Sequence, residues 1–198
     1  MARQLVLATR NNGKIEEMKH MLQGFDIEVL GLDQFPECPE VVEDGQTFIE
    51  NAKKKAETIS EYLQLPALAD DSGLKVEALN GQPGVYSARY ASLHASDEEN
   101  NQKLINALHD VPDGERFASF HCVLALAIPG EETWTCEGTC GGQILRSPTG
   151  SNGFGYDPLF FLPELRKTMA QLTKEEKNQI SHRGQAMRQF LTRIEKGL

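Results

Sequence analysis

Long apolar runs, cysteine and positive charge are all in short supply in this chain of 198 residues. The longest uninterrupted apolar run is Cys122-Val-Leu-Ala-Leu-Ala-Ile128, far below the roughly 20 residues that a membrane-spanning helix needs. It reads as a core strand or a short buried helix, and no membrane association is expected. The N-terminal stretch Met1-Ala-Arg-Gln-Leu-Val-Leu-Ala-Thr9 lacks an extended apolar segment and a cleavage site, so no signal peptide is expected. Four cysteines (Cys38, Cys122, Cys136, Cys140) are too few for a disulfide scaffold and point to a reducing compartment, the cytoplasm. Cys136 and Cys140 have no matching Cys/His pair, so they read as core or turn residues rather than half a zinc site. With 20 Lys+Arg against 29 Asp+Glu the net charge is −9, which excludes a general binder of nucleic-acid backbone.

What remains is ordinary globular material. Hydrophobic residues make up 39% of the chain, with Gly 17 and Pro 9, so neither disorder nor a collagen-like repeat is expected. A chain of this length buries about 70% of its unfolded surface, enough for one core, or one arranged as two lobes, without disulfide or metal staples. No repeat or linker marks a boundary, and residues 1–198 read as a single domain.

Leu5-Val-Leu-Ala8 predicts a buried first strand, followed by the polar turn Thr9-Arg-Asn-Asn-Gly-Lys14 and a helix with Ile15, Met18 and Leu22 on one face. Ile27–Leu30 predicts a second strand, and the Pro-rich acidic stretch from Phe35 to Gly45 an exposed loop. From Thr47, the residues Phe48, Ile49, Ala52, Ala56, Ile59 and Leu63 are expected to form an amphipathic helix carrying Lys53, Lys54 and Lys55. A short strand, Ala67-Leu-Ala69, is expected to end in a turn, Asp70-Asp71-Ser72-Gly73. Ser96 with Glu99, and Thr173 with Glu176, match capping boxes. The first opens a helix to Leu108 and the second a helix running to about Ile194. Strands are expected over Phe117–Ile128, Thr133–Glu137 and Gln143–Leu145. The mixture predicts an α/β fold with a mixed β-sheet flanked by helices.

Five segments carry candidate chemistry. The turn Thr9–Lys14 presents helix N-terminal amides and a lysine to an anion, although Asn11 or Asn12 acting only as a helix cap explains it too. It is not a Walker loop, because Ala8 and Ile15 stand where glycine and Ser/Thr are required. Asp70-Asp71-Ser72-Gly73 offers two carboxylates for a divalent cation and water activation, or simply an Asp-rich turn. Glu40, Glu43 and Asp44 form an acidic cluster that matters only where the fold brings one of them to Asp71. Lys55, one helical turn past Asn51, is a phosphate contact or a snorkelling side chain. Gly153-Phe-Gly-Tyr-Asp157 allows a close backbone approach and a stacking face from Phe154 or Tyr156, or else a β-turn with its aromatics turned inward. Lys177 and Ser181-His182-Arg183-Gly184 are placed within the last helix. No nucleophilic triad is supported, and His20, His94, His109 and His121 read as structural or solvent-facing.

Taken in order, Leu7-Ala-Thr9-Arg-Asn11-Asn-Gly-Lys14, Gly45-Gln-Thr-Phe48-Ile-Glu-Asn51-Ala, Ala69-Asp-Asp71-Ser72-Gly-Leu, Pro83-Gly-Val-Tyr-Ser87-Ala-Arg89-Tyr, Gly153-Phe-Gly-Tyr-Asp157-Pro and Ser181-His-Arg183-Gly resemble the inosine/xanthosine triphosphate pyrophosphatase family (the dITP/XTP pyrophosphatases) nearly end to end. The resemblance implies an elongated α/β structure with two lobes and a central cleft, usually in a homodimer. It implies Mg²⁺-dependent hydrolysis of purine nucleoside triphosphates (ITP, dITP and XTP) to the monophosphate and pyrophosphate. Carried over residue by residue, Thr9, Arg10, Asn11, Asn12, Gly13 and Lys14 would hold the triphosphate, with Lys55 as a further phosphate contact. Asp71 would be metal ligand and general base, Glu43 the second acidic ligand with Glu40 its rival, and Ser72 a substrate contact. Phe154, Gly155, Tyr156, Asp157, Lys177, His182 and Arg183 would surround the base and sugar, with His182 and Arg183 reading the 6-oxo group. The chain departs from the pattern at Asn152, where many members carry Gly. Two other functions compete: a non-catalytic nucleotide sensor, and a Maf-like pyrophosphatase for modified pyrimidine nucleotides.

Overall fold

The computed structural model describes residues 3–195. In chain order its elements are β1 (Arg3–Leu7), α1 (Asn12–Met21), β2 (Ile27–Gly31), α2 (Phe48–Leu63), β3 (Ala67–Val76), α3 (Asp97–Ala107), β4 (Phe117–Ala127), β5 (Trp134–Ile144), β6 (Phe160–Leu162), β7 (Lys167–Thr168), α4 (Lys174–Ile180) and α5 (His182–Glu195). The strands form one seven-stranded sheet in the order β2-β1-β3-β4-β5-β6-β7. β1 runs parallel to β2 (Leu5 opposite Val29) and to β3 (Val6 opposite Ala67). β6 runs antiparallel to β5 (Ile144 opposite Phe160) and to β7 (Phe161 opposite Thr168). This is the mixed α/β sheet expected from the sequence.

Three expected elements differ. β3 does not end at Ala69 but continues through Asp70-Asp71-Ser72-Gly73 to Val76, because Leu74 and Val76 are fully buried core residues that keep the strand in the sheet. The two strands expected around Thr133–Glu137 and Gln143–Leu145 are one strand, β5, running straight through Gly138, Gly141 and Gly142. The last helix is two. Ser181 adopts an extended conformation (φ −66°, ψ 159°) while its N–H still donates to Lys177 O at 2.8 Å, so α4 stops there and α5 begins at His182. Both capping boxes form, at Ser96/Glu99 and Thr173/Glu176.

The chain divides into two compact units. The first comprises the residues up to Asp71, Cys122–Gly138 and Arg183 onward; the second comprises Ser72–His121 and Thr139–His182. In the first unit a core gathers Leu5, Leu7, Met18, Leu68, Leu124, Met187 and Phe190 from β1, α1, β3, β4 and α5. There, residues 122–127 of β4 are all buried, as expected for a strand covered on both faces. The second unit has its own core, including Leu74, Leu104, Phe120, Ile144, Tyr156 and Phe160. Here β4 alternates: Ala118 and Phe120 point inward, while Phe117 is exposed and Ser119 and His121 half-exposed.

Candidate active site

In the first unit, Asn11 caps α1 by accepting the Lys14 N–H at 3.0 Å, and Thr9 Oγ1 accepts the Asn11 N–H at 3.2 Å. The turn is therefore held by its own side chains, leaving Arg10, Asn11 and Asn12 exposed and Thr9, Gly13 and Lys14 half-buried. The Lys14 ammonium reaches the Asp70 carboxylate. On the other Asp70 oxygen, Arg183 Nε donates at 2.8 Å and the Cys122 thiol at 3.1 Å. Arg183 also donates to Glu17 at 2.5 Å. Burial alone would push the Asp70 carboxyl up, but the Arg183 and Lys14 charges overrule it and hold it well below the usual carboxylate range.

Asp71, next along β3, points to the opposite face. Its Oδ1 lies 3.8 Å from Lys55 Nζ, which donates to Glu43 Oε1 at 2.8 Å and to the Asp70 carbonyl at 2.7 Å. Lys55 sits on the buried face of α2, so it is not a snorkelling side chain. The same face carries Asn51, whose Oδ1 accepts the Gly45 N–H at 2.8 Å. A Cβ at Gly45 would lie 2.7 Å from that oxygen, so glycine is what allows the acidic loop to close on α2 and brings Glu43 to Lys55. Glu40 stays exposed. A cavity of about 150 Å³ is lined by Thr9, Arg10, Glu40, Glu43 and Lys55, among others. A larger one, about 810 Å³, opens near Arg3, Ile27, Pro66 and Ile194 and shares no residue with this group.

Burial raises the Asp71 carboxyl to about 6; Lys55 and Lys14 oppose the shift and Glu43 adds to it. Asp71 Oδ2 is buried with no hydrogen-bond partner among the described residues. An orphaned carboxylate oxygen beside a second carboxylate fits a hard divalent cation that takes its other ligands from water and phosphate. No group of three or more His, Cys, Asp or Glu suited to a metal exists among the described residues, and Cys136 and Cys140 are free and buried.

In the second unit the loop after β5 is built around Gly153, whose φ is +75°. A Cβ there would strike the Asp157 carboxylate, which accepts the Phe154 N–H at 3.0 Å and the Lys177 ammonium at 2.6 Å. The Lys177 Nζ also lies 4.8 Å from the centre of the half-buried Phe154 ring. Asn152 takes the place of a glycine without a left-handed backbone: its N–H donates to Ala170 O and its amide to Leu172 O, each at 2.9 Å. Tyr156 corrects one expectation. It is 5% exposed and its hydroxyl donates to Ser87 O at 2.8 Å, so it anchors the loop rather than offering a stacking face. Ser87, from the Pro83–Tyr90 motif, accepts the Leu74 N–H and donates to Gly84 O, joining that motif to β3. His182 is buried and stacks on Phe120 at 4.7 Å. Ser72 is half-buried in β3.

In the first unit the structure thus sets Lys14 and Arg183 on Asp70, and Lys55 and Glu43 beside Asp71, while Phe154–Asp157, Lys177 and His182 lie in the second. Arg183, expected at the base, has its Nε and one terminal nitrogen committed to Asp70 and Glu17, and the residue is 1% exposed. Sequence reasoning missed Glu17, Asp97 and Asn101 as neighbours of these groups. Asp97 and Asn101 share a face of α3 by their spacing of four, but no local pattern names the loop they meet.

Comparisons with known proteins identify the family. The Ham1 family profile matches residues 5–193. A dITP/XTP pyrophosphatase of Geobacter sulfurreducens is 55% identical over 183 residues, 92% of each chain. One from Shouchella clausii is 51% identical over 97% of this chain and 96% of its own. Among solved structures, a HAM1 protein from Coxiella burnetii superposes with a TM-score of 0.90 at 45% identity, covering 98% of this chain and all of the other. The Staphylococcus aureus Ham1 protein gives 0.88 at 44% identity, covering 99% of this chain. With nearly every residue matched and the fold shared, this chain belongs to the Ham1 family.

Proposed function

We propose that this chain is a dITP/XTP pyrophosphatase. It hydrolyses ITP, dITP and XTP to the nucleoside monophosphate and pyrophosphate, and so keeps deaminated purines out of the nucleotide pool. The names of relatives that share about half its residues over nine-tenths of its length support this reading. The observation that carries it is Asp71, a buried carboxylate with one orphaned oxygen, set beside Lys55 and Glu43.

In this reading Thr9, Arg10, Asn11, Asn12, Gly13, Lys14 and Lys55 hold the phosphates. Helix-end amides and two ammonium groups match a polyanion without sequence readout. Glu43 and Asp71 hold a divalent cation, Mg²⁺; when bound it neutralises phosphate charge and stabilises the pyrophosphate leaving group. Asp71 orients a water molecule and takes its proton as the oxygen bonds to phosphorus and the bridge between the α- and β-phosphorus atoms breaks. Ser72, Phe154, Gly155, Tyr156, Asp157, Lys177, His182 and Arg183 serve the base and sugar: Phe154 gives a stacking face, Tyr156 and Asp157 hold the loop, and Arg183 also fixes Asp70. A 6-oxo group satisfies donors that the 6-amino group of ATP leaves unpaired, a large penalty in a buried site.

The enzyme acts as one domain over residues 1–198, as a homodimer in the cytoplasm. Its four free cysteines support a reducing compartment, and no helix among the described residues is long and apolar enough to cross a membrane. The deciding experiment measures pyrophosphate release from dITP, XTP, GTP, ATP and modified pyrimidine nucleotides, with Mg²⁺ and with EDTA. Release confined to the deaminated purines and abolished by EDTA is expected. Binding without release, or preference for a pyrimidine, overturns the proposal.

A further inference from the structure

The loop that carries Phe154 and Gly155 is gripped from a direction the family motifs do not mark. Three of its glycines have positive φ: Gly150 at +87°, Gly153 at +75° and Gly155 at +62°. Such a segment has a large conformational freedom to lose and needs external anchors to hold one shape. Most of its anchors lie in the chain that follows, no more than 20 positions away: Ser151 and Asn152 on Ala170 O, Asn152 on Leu172 O, Asp157 on Lys177. Gly155 is different. Its N–H donates to Asp97 Oδ2 at 2.6 Å, and its carbonyl accepts from Asn101 Nδ2 at 2.9 Å. Both partners stand one turn apart on α3, 58 and 54 residues away, in the same compact unit.

We infer that Asp97 and Asn101 are positioning residues that set the purine selectivity of the base loop by clamping both polar groups of the Gly155 backbone. The inference rests on the reading of Phe154–Asp157 as the base-binding segment. Three features make this clamp a device for holding shape. Asp97 lies in the first turn of α3, which Ser96 caps through a complete capping box with Glu99, so its backbone is fixed. The bond from Gly155 N–H to a carboxylate is charge-assisted, about twice as strong as a neutral one. Asn101 is 8% exposed, and its Oδ1 is buried without a partner among the described residues. A side chain that leaves one polar atom unsatisfied to place the other on Gly155 O is poorly suited to mere packing, since an apolar residue would fill that place without the penalty.

Selectivity between 6-oxo and 6-amino purines is a difference of two affinities. It survives only where the pocket's donors and acceptors cannot shift to suit the wrong base, and a displacement of about 1 Å can cost 10²-fold. A loop freed from α3 adapts to either base. The clamp therefore discriminates without touching substrate.

The test compares wild type with Asp97→Ala, Asp97→Asn and Asn101→Leu, reading kcat and KM for dITP and dATP, melting temperature, and hydrogen exchange of the segment 150–157. The Asn variant keeps an acceptor for the Gly155 N–H; Leu removes the second grip while filling a buried place. Expected for Asp97→Ala and Asn101→Leu is a fall of about tenfold in the dITP/dATP ratio of kcat/KM, with faster exchange of the loop. Asp97→Asn should stay within about threefold of wild type, and melting temperatures within about 4 °C. An unchanged ratio in Asn101→Leu, or equal losses on both nucleotides, overturns the inference while leaving the pyrophosphatase reading intact. Wild-type protein that releases no pyrophosphate from dITP overturns that reading itself.

Discussion

Asp70 and Asp71 are neighbours in sequence and opposites in chemistry. Strand geometry sends their side chains to opposite faces of β3. One carboxyl is held far down by Arg183 and Lys14; burial pushes the other up to about 6. The signs then follow. Asp71 protonates more readily folded than unfolded, so it costs no stability in acid. The cost develops as pH rises from about 4 to 6, reaching about 3 kcal/mol above that window from the conversion of 1.36 kcal/mol per pKa unit. Asp71→Asn should therefore melt higher than wild type at pH 8 in EDTA, with the gap closing toward pH 4, while turnover falls by at least about 10². A variant that turns over dITP at wild-type speed would falsify the role of Asp71. For Asp70 the depressed pKa means that its stabilisation is present above the unfolded value and lost only as pH falls below it. Asp70→Asn leaves Arg183 buried against too little negative charge, so urea unfolding at pH 7 should show a loss of about 3–5 kcal/mol.

Elements, more than single groups, decide where these side chains can act. The break at Ser181 starts α5 afresh, so His182 and Arg183 occupy a first helical turn rather than the middle of a long helix. α3 matters for the same reason: its capped start carries the carboxylate that meets Gly155. Replacing the cap, Ser96→Ala, should lower stability by about 1 kcal/mol, read from the urea midpoint. In the loop itself, Gly153→Ala places a Cβ in a left-handed residue against the Asp157 carboxylate that Lys177 and Phe154 share. Strain of about 1–2 kcal/mol should appear as a raised KM for dITP, in a protein whose melting temperature moves by only a few degrees.

At the scale of the whole molecule, β3, β4 and β5 each contribute residues to both compact units, with divisions after Asp71, His121 and Gly138. Strands shared in this way predict one cooperative transition. The single tryptophan, Trp134, lies in the first unit, so its fluorescence and the backbone circular dichroism of the whole chain should change at the same urea concentration. Two separated midpoints would show that the units unfold independently. EDTA should abolish turnover and lower that midpoint, because a cation held only by the folded chain's Glu43 and Asp71 stabilises it, while the transition stays single.

Much of this was legible in the linear order of residues. Apolar spacing marked β1, α2 and β4, Ser96 and Thr173 marked helix starts, and the six motifs named the family, because each of these signals is written in residues near one another. Local signals also misled. Two aspartates with Ser and Gly looked like a turn, yet Leu74 and Val76 beyond them had a core to fill. Thr133–Glu137 and Gln143–Leu145 looked like two strands, yet pairing along the sheet carried one strand through both. Which of two adjacent aspartates meets Arg183, which glutamate reaches Lys55, and that α3 holds Gly155 were decided only by tertiary structure. Those contacts join residues as many as 113 positions apart, and both the dielectric that sets their charge states and the bonds they make exist only once the chain has excluded water around them.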